Sequence, residues 1–286
     1  MKIQLRLFAF AVVTSMAWPV QALVIDDFTV GAINLSGHTE LSAQTNLDPA
    51  HVVGGARHTN VDSATTSLTM SPSTGLLVDH PSGWGYFTLM YGYDAPLNAN
   101  FTANGHDRLR LVIDAEGSEA ANGIMWISIN SSLPPRSNAP GPRMIDFRGG
   151  GIFEIPFSVY STNLSDVDTF AIDVVRMTGG FVLRSVTTAG PPLAGDFNRD
   201  GLVNSDDLDE FRRTFGRTTA ITGGYGATLS ADENQDGSVD GSDFLAWQRA
   251  LSSAPQPGGP IPEPAAGILA AIALAVLHVG HRGRAG

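Results

Sequence analysis

The segment DFNRDGLVNSDD, residues 196–207, sets side-chain oxygens at alternate positions ahead of a glycine. Counted from Asp196 as position 1, Asn198, Asp200, Asn204 and Asp207 stand at positions 3, 5, 9 and 12, and Leu202 at position 7 offers its backbone carbonyl. Gly201 at position 6 permits the sharp turn that such a wrap needs. A hard divalent cation such as Ca2+ takes six to eight oxygen ligands, and this spacing closes a loop around one. A second loop repeats the pattern with Asp232, Asn234, Asp236, Asp240 and Asp243, with Gly237 at the turn and Ser238 at the carbonyl position. Two matches this complete predict two bound Ca2+ ions. Position 12 carries Asp in both loops, where Glu is the more usual bidentate ligand.

Each loop needs an element behind it to hold its last ligands. Leu208, Phe211 and Phe215 follow the first loop, and Phe244, Trp247 and Leu251 the second, each set at i, i+3, i+7 on one helical face. Pro191-Pro192-Leu193-Ala194-Gly195 leads straight into the first loop, so an exiting helix is predicted but no entering one. Ligand and apolar positions recur 36 residues apart (196 to 232, 211 to 247), an internal duplication whose two faces can bury each other. Residues 193–252 thereby resemble a dockerin, the duplicated loop-helix module that binds cohesin domains. The resemblance implies the ligands named above, a cohesin-like partner, and partner contacts at Ser205-Asp206 and Gly241-Ser242, then at Arg212-Arg213 and Gln248-Arg249. Six large apolar side chains make a thin core, so residues 191–254 are expected to fold only with metal. The stretch Gly216–Ser230 has no evident role.

Charge agrees with a cation site. The chain has 17 basic and 28 acidic residues and a net charge of −11. Residues 193–252 hold 11 of the acids against five arginines, about half the net charge in a fifth of the chain. That balance argues against nucleic acid as a partner.

Both ends read as targeting segments. Lys2 and Arg6, the apolar LFAFAVVTSMA and Val20-Gln21-Ala22 read as a secretion signal over residues 1–22. The exported chain has no cysteine, so packing and bound metal must hold it. Ala265 to Gly280 is apolar except for His278, and Arg282 and Arg284 follow. Sixteen residues of helix reach about 24 Å, marginal for a bilayer core. With Pro262-Glu263-Pro264 ahead of it, this tail resembles a PEP-CTERM sorting signal, which implies an exosortase-type processing enzyme and at least transient membrane contact.

Between these lies the largest part. Residues 23–190 show short alternating runs (LVIDDFTV, GYFTLMYGY, RLRLVID, GIMWISI, IFEIPFSV, TFAIDVVRM, FVLRSVTT among them) separated by Gly, Pro, Asn and Ser clusters. GYFTLMYGY is apolar on both faces and reads as an inner strand. The fold class is therefore mainly β: an antiparallel, jelly-roll-like β-sandwich at 23–190, a small helical module at 191–254, a Pro-rich linker at 255–264 and a hydrophobic helix at 265–286. The sandwich is similar to domains of secreted bacterial proteins and carbohydrate-binding modules, often opening on a stretch like its IDDF.

No sharp catalytic set appears in it. Asp114, Glu116, Glu119, Asp146 and Glu154 could include a glycosidase-like pair, but read more simply as strand-end and loop carboxylates. His38, His51, His58, His80 and His106 are scattered, without HExxH or G-x-S-x-G spacing. Trp84, Tyr86, Tyr91, Tyr93 and Trp126 could stack on sugar rings or pack the core. Three functions fit: an exported, surface or envelope protein whose sandwich binds a polysaccharide while the module docks a partner; a secreted polysaccharide-degrading enzyme; or a structural matrix component.

Overall fold

The structure, a computed structural model, describes residues 22–37, 39–62, 66–71, 75–79, 85–116, 122–130, 143–218 and 228–253. The stretch up to residue 21 that reads as a secretion signal, Trp84, His38, His80, Glu119 and everything from 254 onward, including the Pro-Glu-Pro motif and the apolar tail, lie outside the described residues. Among those described, no helix is long and apolar enough to cross a membrane.

In chain order the strands are β1 (Val24–Asp26), β2 (Ile33–Ser36), β3 (Thr39–Gln44), β4 (Arg57–Val61), β5 (Ser67–Ser71), β6 (Gly75–Asp79) and β7 (Gly85–Tyr91). There follow β8 (Arg108–Glu116), β9 (Asn122–Ile129), β10 (Arg143–Arg148), β11 (Gly151–Pro156), β12 (Phe170–Thr178) and β13 (Gly180–Ala189). Helix α1 (Asp207–Thr214), strand β14 (Thr228–Leu229) and helix α2 (Gly241–Ser253) follow among the described residues. Two antiparallel sheets face each other. One has eight strands in the order β14-β11-β8-β13-β6-β5-β2, with β1 also on β13; the other has six, β10-β9-β12-β7-β4-β3. The expected sandwich is present, and β7 is inner, between β12 and β4.

Alternation decides what fills the space between the sheets. Phe87, Leu89 and Tyr91 of β7, Leu109, Leu111 and Ile113 of β8, and Phe170, Ile172 and Val174 of β12 all point inward and are buried. On β13 the inward set runs Phe181, Leu183, then Val186. A register shift between Leu183 and Ser185 supplies the extra residue and restores the phase.

Inside this core sits an ion pair. Arg57 donates to both carboxylate oxygens of Asp26, at 2.5 and 2.6 Å, and the Tyr91 hydroxyl donates to Asp26 at 2.7 Å. All three side chains are fully buried. Burial pushes the Asp26 carboxyl up and the Arg57 guanidinium opposes it. The IDDF stretch therefore has a structural use: Asp26 anchors the core, and Asp27 accepts from Thr29 and pairs with His51 at 2.6 Å. Tyr91 is a core residue and not a sugar platform.

The helical module is not a separate body on a linker. Phe197, Phe211, Leu229, Ala231, Val239 and Trp247 belong to the same contiguous core as the sandwich. Thr228 and Leu229, in the stretch assigned no role from sequence, form the edge strand β14 on β11, with Leu229 opposite Phe153. Helix α1 ends at Thr214, whose hydroxyl donates to the Glu210 carbonyl at 2.8 Å. Phe215 thus falls just beyond the helix and is 58% exposed, although its ring still meets Phe211 at 5.4 Å. The expected helical face stops one residue short of it.

Candidate functional site

The two loops build the same hydrogen-bond network. In the first, Asp196 accepts from the Asp200 and Gly201 amides at 3.1 and 3.0 Å, Asn198 from Asp200 at 2.9 Å, and Asp200 from Leu202 at 2.8 Å. Asp207 reaches back from the start of α1 and accepts from Asn198 at 3.2 Å and Asn204 at 2.8 Å. In the second, Asp232 accepts from Asp236 and Gly237 at 3.1 and 3.0 Å, Asn234 from Asp236 at 2.9 Å, and Asp236 from Ser238 at 2.9 Å. Asp243 closes it from α2, accepting from Asn234 at 3.2 Å and Asp240 at 2.8 Å. The turns that permit this have positive φ, +89° at Gly201 and +87° at Gly237. Position 9 also serves its neighbour: Asn204 and Asp240 accept from the Asp206 and Ser242 amides at 2.6 and 2.7 Å.

The donor chemistry fits Ca2+. Positions 1 and 12 of both loops (Asp196 and Asp207, Asp232 and Asp243) are buried carboxylates, while positions 3 and 5 are open to solvent or nearly so. Burial, together with the carboxylates of Asp207 and Asp200, raises the Asp196 pKa; burial, with Asp243 and Asp236, raises that of Asp232 to about 6. Carboxylates crowded away from water in this way are relieved by a bound cation. Among the described residues, no group of three or more His, Asp or Glu side chains stands in metal-holding geometry by itself. Side-chain amide oxygens of Asn198, Asn204 and Asn234 stand among these carboxylates, a donor mix of the kind hard cations take.

An aromatic column holds the two copies together. Phe197 meets Phe211 at 6.0 Å, Phe211 meets Phe244 at 5.7 Å, and Phe244 meets Trp247 at 5.6 Å. The Trp247 indole donates to the Asn204 carbonyl at 3.1 Å, so the second helix steadies the first loop. The positions expected to contact a partner divide. Ser205, Asp206, Gly241, Ser242, Gln248 and Arg249 are exposed, and Arg212 pairs with Asp209 at 2.9 Å. Arg213 instead pairs with Glu210 and reaches Asp114 of β8 at 3.3 Å.

A second polar cluster lies on the outer face of the six-stranded sheet. The register sets Asn60, Thr88, Asp173 and Trp126 in one row across β4, β7, β12 and β9. His58, Met90, Ala171 and Ser128 form the next row. The Tyr86 hydroxyl donates to Asp173 at 3.2 Å, and the Thr88 hydroxyl donates to the same oxygen. Burial raises the Asp173 carboxyl to about 6. His58 stacks on Tyr93 at 4.8 Å, and its Nε2 lies 3.0 Å from Asp94, off the hydrogen-bond direction. Among the described residues, the buried Ser128 hydroxyl and His58 Nδ1 have no hydrogen-bond partner. Tyr86 and Trp126, named from sequence, are half-buried here. Asp173, Thr88 and Ser128 were not named, although an aspartate inside the apolar run TFAIDVVRM is a signal.

Of the carboxylates considered as a catalytic pair, Asp114 and Glu154 do not come together. Glu154 is buried among Arg108, Arg110 and Arg199; Asp114 pairs with Arg184 at 2.7 Å and with Arg213. Glu154 lies opposite Arg110, so Asp114 stands four residues further along β8, about 13 Å away at strand spacing. That exceeds the separation of either glycosidase geometry. His106 is buried against Thr188 at 2.5 Å. The side chains of Glu116 and Asp146 lie outside the described residues.

Residues 194–252 match the family model of the dockerin type I domain. No curated protein matches the chain. Among solved structures, the family 11 carbohydrate-binding module from Clostridium thermocellum in complex with a β-1,3-1,4-mixed-linked tetrasaccharide is 15% identical, with 60% of this chain and 98% of that chain covered and a TM-score of 0.33. A non-crystalline cellulose-specific module, CBM28, is 12% identical over 46% of this chain and 82% of its own, with a TM-score of 0.27. The sandwich assignment rests on the sheets themselves.

Proposed function

We propose that this is an exported, non-catalytic component of a polysaccharide-handling assembly. Its sandwich holds a glycan chain, and its dockerin-type module, loaded with two Ca2+ ions, docks a cohesin-like partner at the cell surface or outside the cell. The observation that carries this reading is the repetition of one ligand-shaped network in two loops of a segment that matches the dockerin type I model. Bound Ca2+ would supply the positive charge that neutralises the crowded carboxylates of each loop. The chain contributes Asp196, Asn198, Asp200, Asn204 and Asp207 with the Leu202 carbonyl, and Asp232, Asn234, Asp236, Asp240 and Asp243 with the Ser238 carbonyl.

The outer face of the six-stranded sheet supports the glycan half. Half-buried Tyr86 and Trp126 offer rings for sugar faces. Asp173, Ser128 and His58 set hydrogen-bonding groups in the same and the adjacent row of this face. The Pro-Glu-Pro motif, apolar run and trailing arginines support handling by an exosortase-type enzyme and a membrane stage before release. The structural-component reading draws support from the shared core of module and sandwich.

The test is the calcium-loaded full chain incubated with soluble and insoluble polysaccharides, scoring retention and reducing-sugar release. Retention without release, lost in Trp126→Ala, supports the proposal. Release assigns the chain to the degrading enzymes. Neither retention nor release on any polymer leaves the structural reading.

A further inference from the structure

We infer that Glu154, a buried carboxylate of the sandwich, is a positioning residue for the first calcium loop and acts on it through Arg199. The inference rests on the reading that the loops bind Ca2+. Glu154 lies on β11 on the face away from the sandwich core, because its neighbours Phe153 and Ile155 point into that core. It is 1% exposed. Arg108 donates to it at 3.2 Å and Arg110 at 3.1 Å, both from the neighbouring strand β8. The third arginine comes from the module: Arg199 donates through Nε at 3.1 Å and Nη2 at 2.9 Å, one bond to each carboxylate oxygen.

Arg199 is position 4 of the first loop, between two ligand positions. Its φ is +62°, a conformation the loop's wrap requires of it. Its remaining donors point back into the module: Nη1 to the carbonyl of Asp196, position 1, at 2.6 Å, and Nη2 to the Ser230 carbonyl at 3.2 Å. One planar guanidinium therefore ties the sheet carboxylate to the backbone of the loop's first ligand. A fork with both carboxylate oxygens engaged fixes direction as well as distance. Among the described residues, position 4 of the second loop makes no such tie: it is Gln235, exposed, at the similar φ of +57°.

The consequence is linkage. A loop held in its ligand-ready shape by the sheet binds more tightly than a free one, and by reciprocity the bound ion strengthens the hold of the module on the sheet. The first loop should thus depend on a residue 42 positions before it in the chain, and the second should not.

The experiment uses the full chain, stripped of calcium and titrated back while amide resonances are followed. Gly201 and Gly237 each donate to the position-1 carboxylate of their own loop, so they report the two sites separately. Arg199→Gln installs the residue that the second loop already carries at this position, and Glu154→Gln removes the charge at the other end. Each variant is expected to weaken the Gly201 midpoint about tenfold, the scale of ordinary site coupling, and to leave Gly237 within about twofold. The double variant should lose no more than the worse single. Should Glu154→Gln fail to fold, Arg199→Gln decides alone. An unchanged Gly201 midpoint, equal losses at both glycines or additive losses in the double variant overturn the inference while leaving calcium binding intact. A wild-type chain in which neither glycine responds to Ca2+ overturns the calcium reading itself.

Discussion

Asp173 should make the sandwich less stable as pH rises. Its carboxyl is 5% exposed on the outer face of β12, and burial lifts its pKa from 3.8 to about 6 against the opposing bonds from Thr88 and Tyr86. The folded state therefore holds its proton more tightly than the unfolded chain. Its contribution is fully present below about pH 4, falls as pH rises from there to about 6, and is flat above. A shift of about two units corresponds to about 3 kcal/mol at 1.36 kcal/mol per unit. Asp173→Asn removes the ionisation while its amide oxygen still accepts from the two hydroxyls. The variant should match the wild type near pH 4 and exceed it by up to about 3 kcal/mol at pH 7, less whatever the amide nitrogen costs to bury. Urea unfolding of both proteins from pH 4 to 7.5 in saturating calcium gives the difference curve, and contributions common to both proteins cancel. A difference that is flat across this range, or a variant weaker at pH 7, would refute the reasoning.

Other perturbations follow from the same geometry. Arg57→Met leaves the Asp26 carboxylate buried with the Tyr91 hydroxyl and the Phe28 amide but without its counter-charge, and should cost about 3–5 kcal/mol in chemical denaturation, as a broken buried pair does. Gly92→Ala places a Cβ 2.0 Å from the Asp168 carbonyl oxygen at φ +78°, so a drop of at least about 2 kcal/mol is expected by the same method. Arg249→Ala, on the exposed face of α2, should weaken capture by an immobilised cohesin-type partner without changing the melting temperature. Arg213→Ala should lower that temperature as well, because it removes the ion pairs to Glu210 and Asp114.

The loops were legible because all their candidate ligands lie within twelve residues and the pattern occurs twice. The Phe211, Phe244 and Trp247 part of the aromatic column could also be read from helical spacing, up to the point where α1 stops before Phe215; Phe197, inside the first loop, could not. Strands β2, β4 and β10 were harder, since INLS, RHTNV and RMIDFR carry polar or charged residues at positions that the fold covers or pairs. Period two set Tyr91 with Phe87 and Leu89 on one face of β7 but could not say which face was inside, because both are apolar. Fusion of the module to the sandwich was not legible. It depends on Arg199 meeting Glu154, and on two residues of a Gly/Thr-rich stretch pairing with β11, contacts that no local pattern encodes. The same fusion revises the expectation for a 191–254 fragment, which would expose Phe197, Phe211 and Leu229 where they now share a core with the sheet.

The measurement that tests the account most directly is the calcium content of the intact chain at equilibrium, taken after chelator treatment and dialysis into millimolar Ca2+. Two ions per chain, falling to one when Asp232→Ala removes position 1 of the second loop, is the predicted result. A chain that retains no calcium, or retains the same number in that variant, would contradict it.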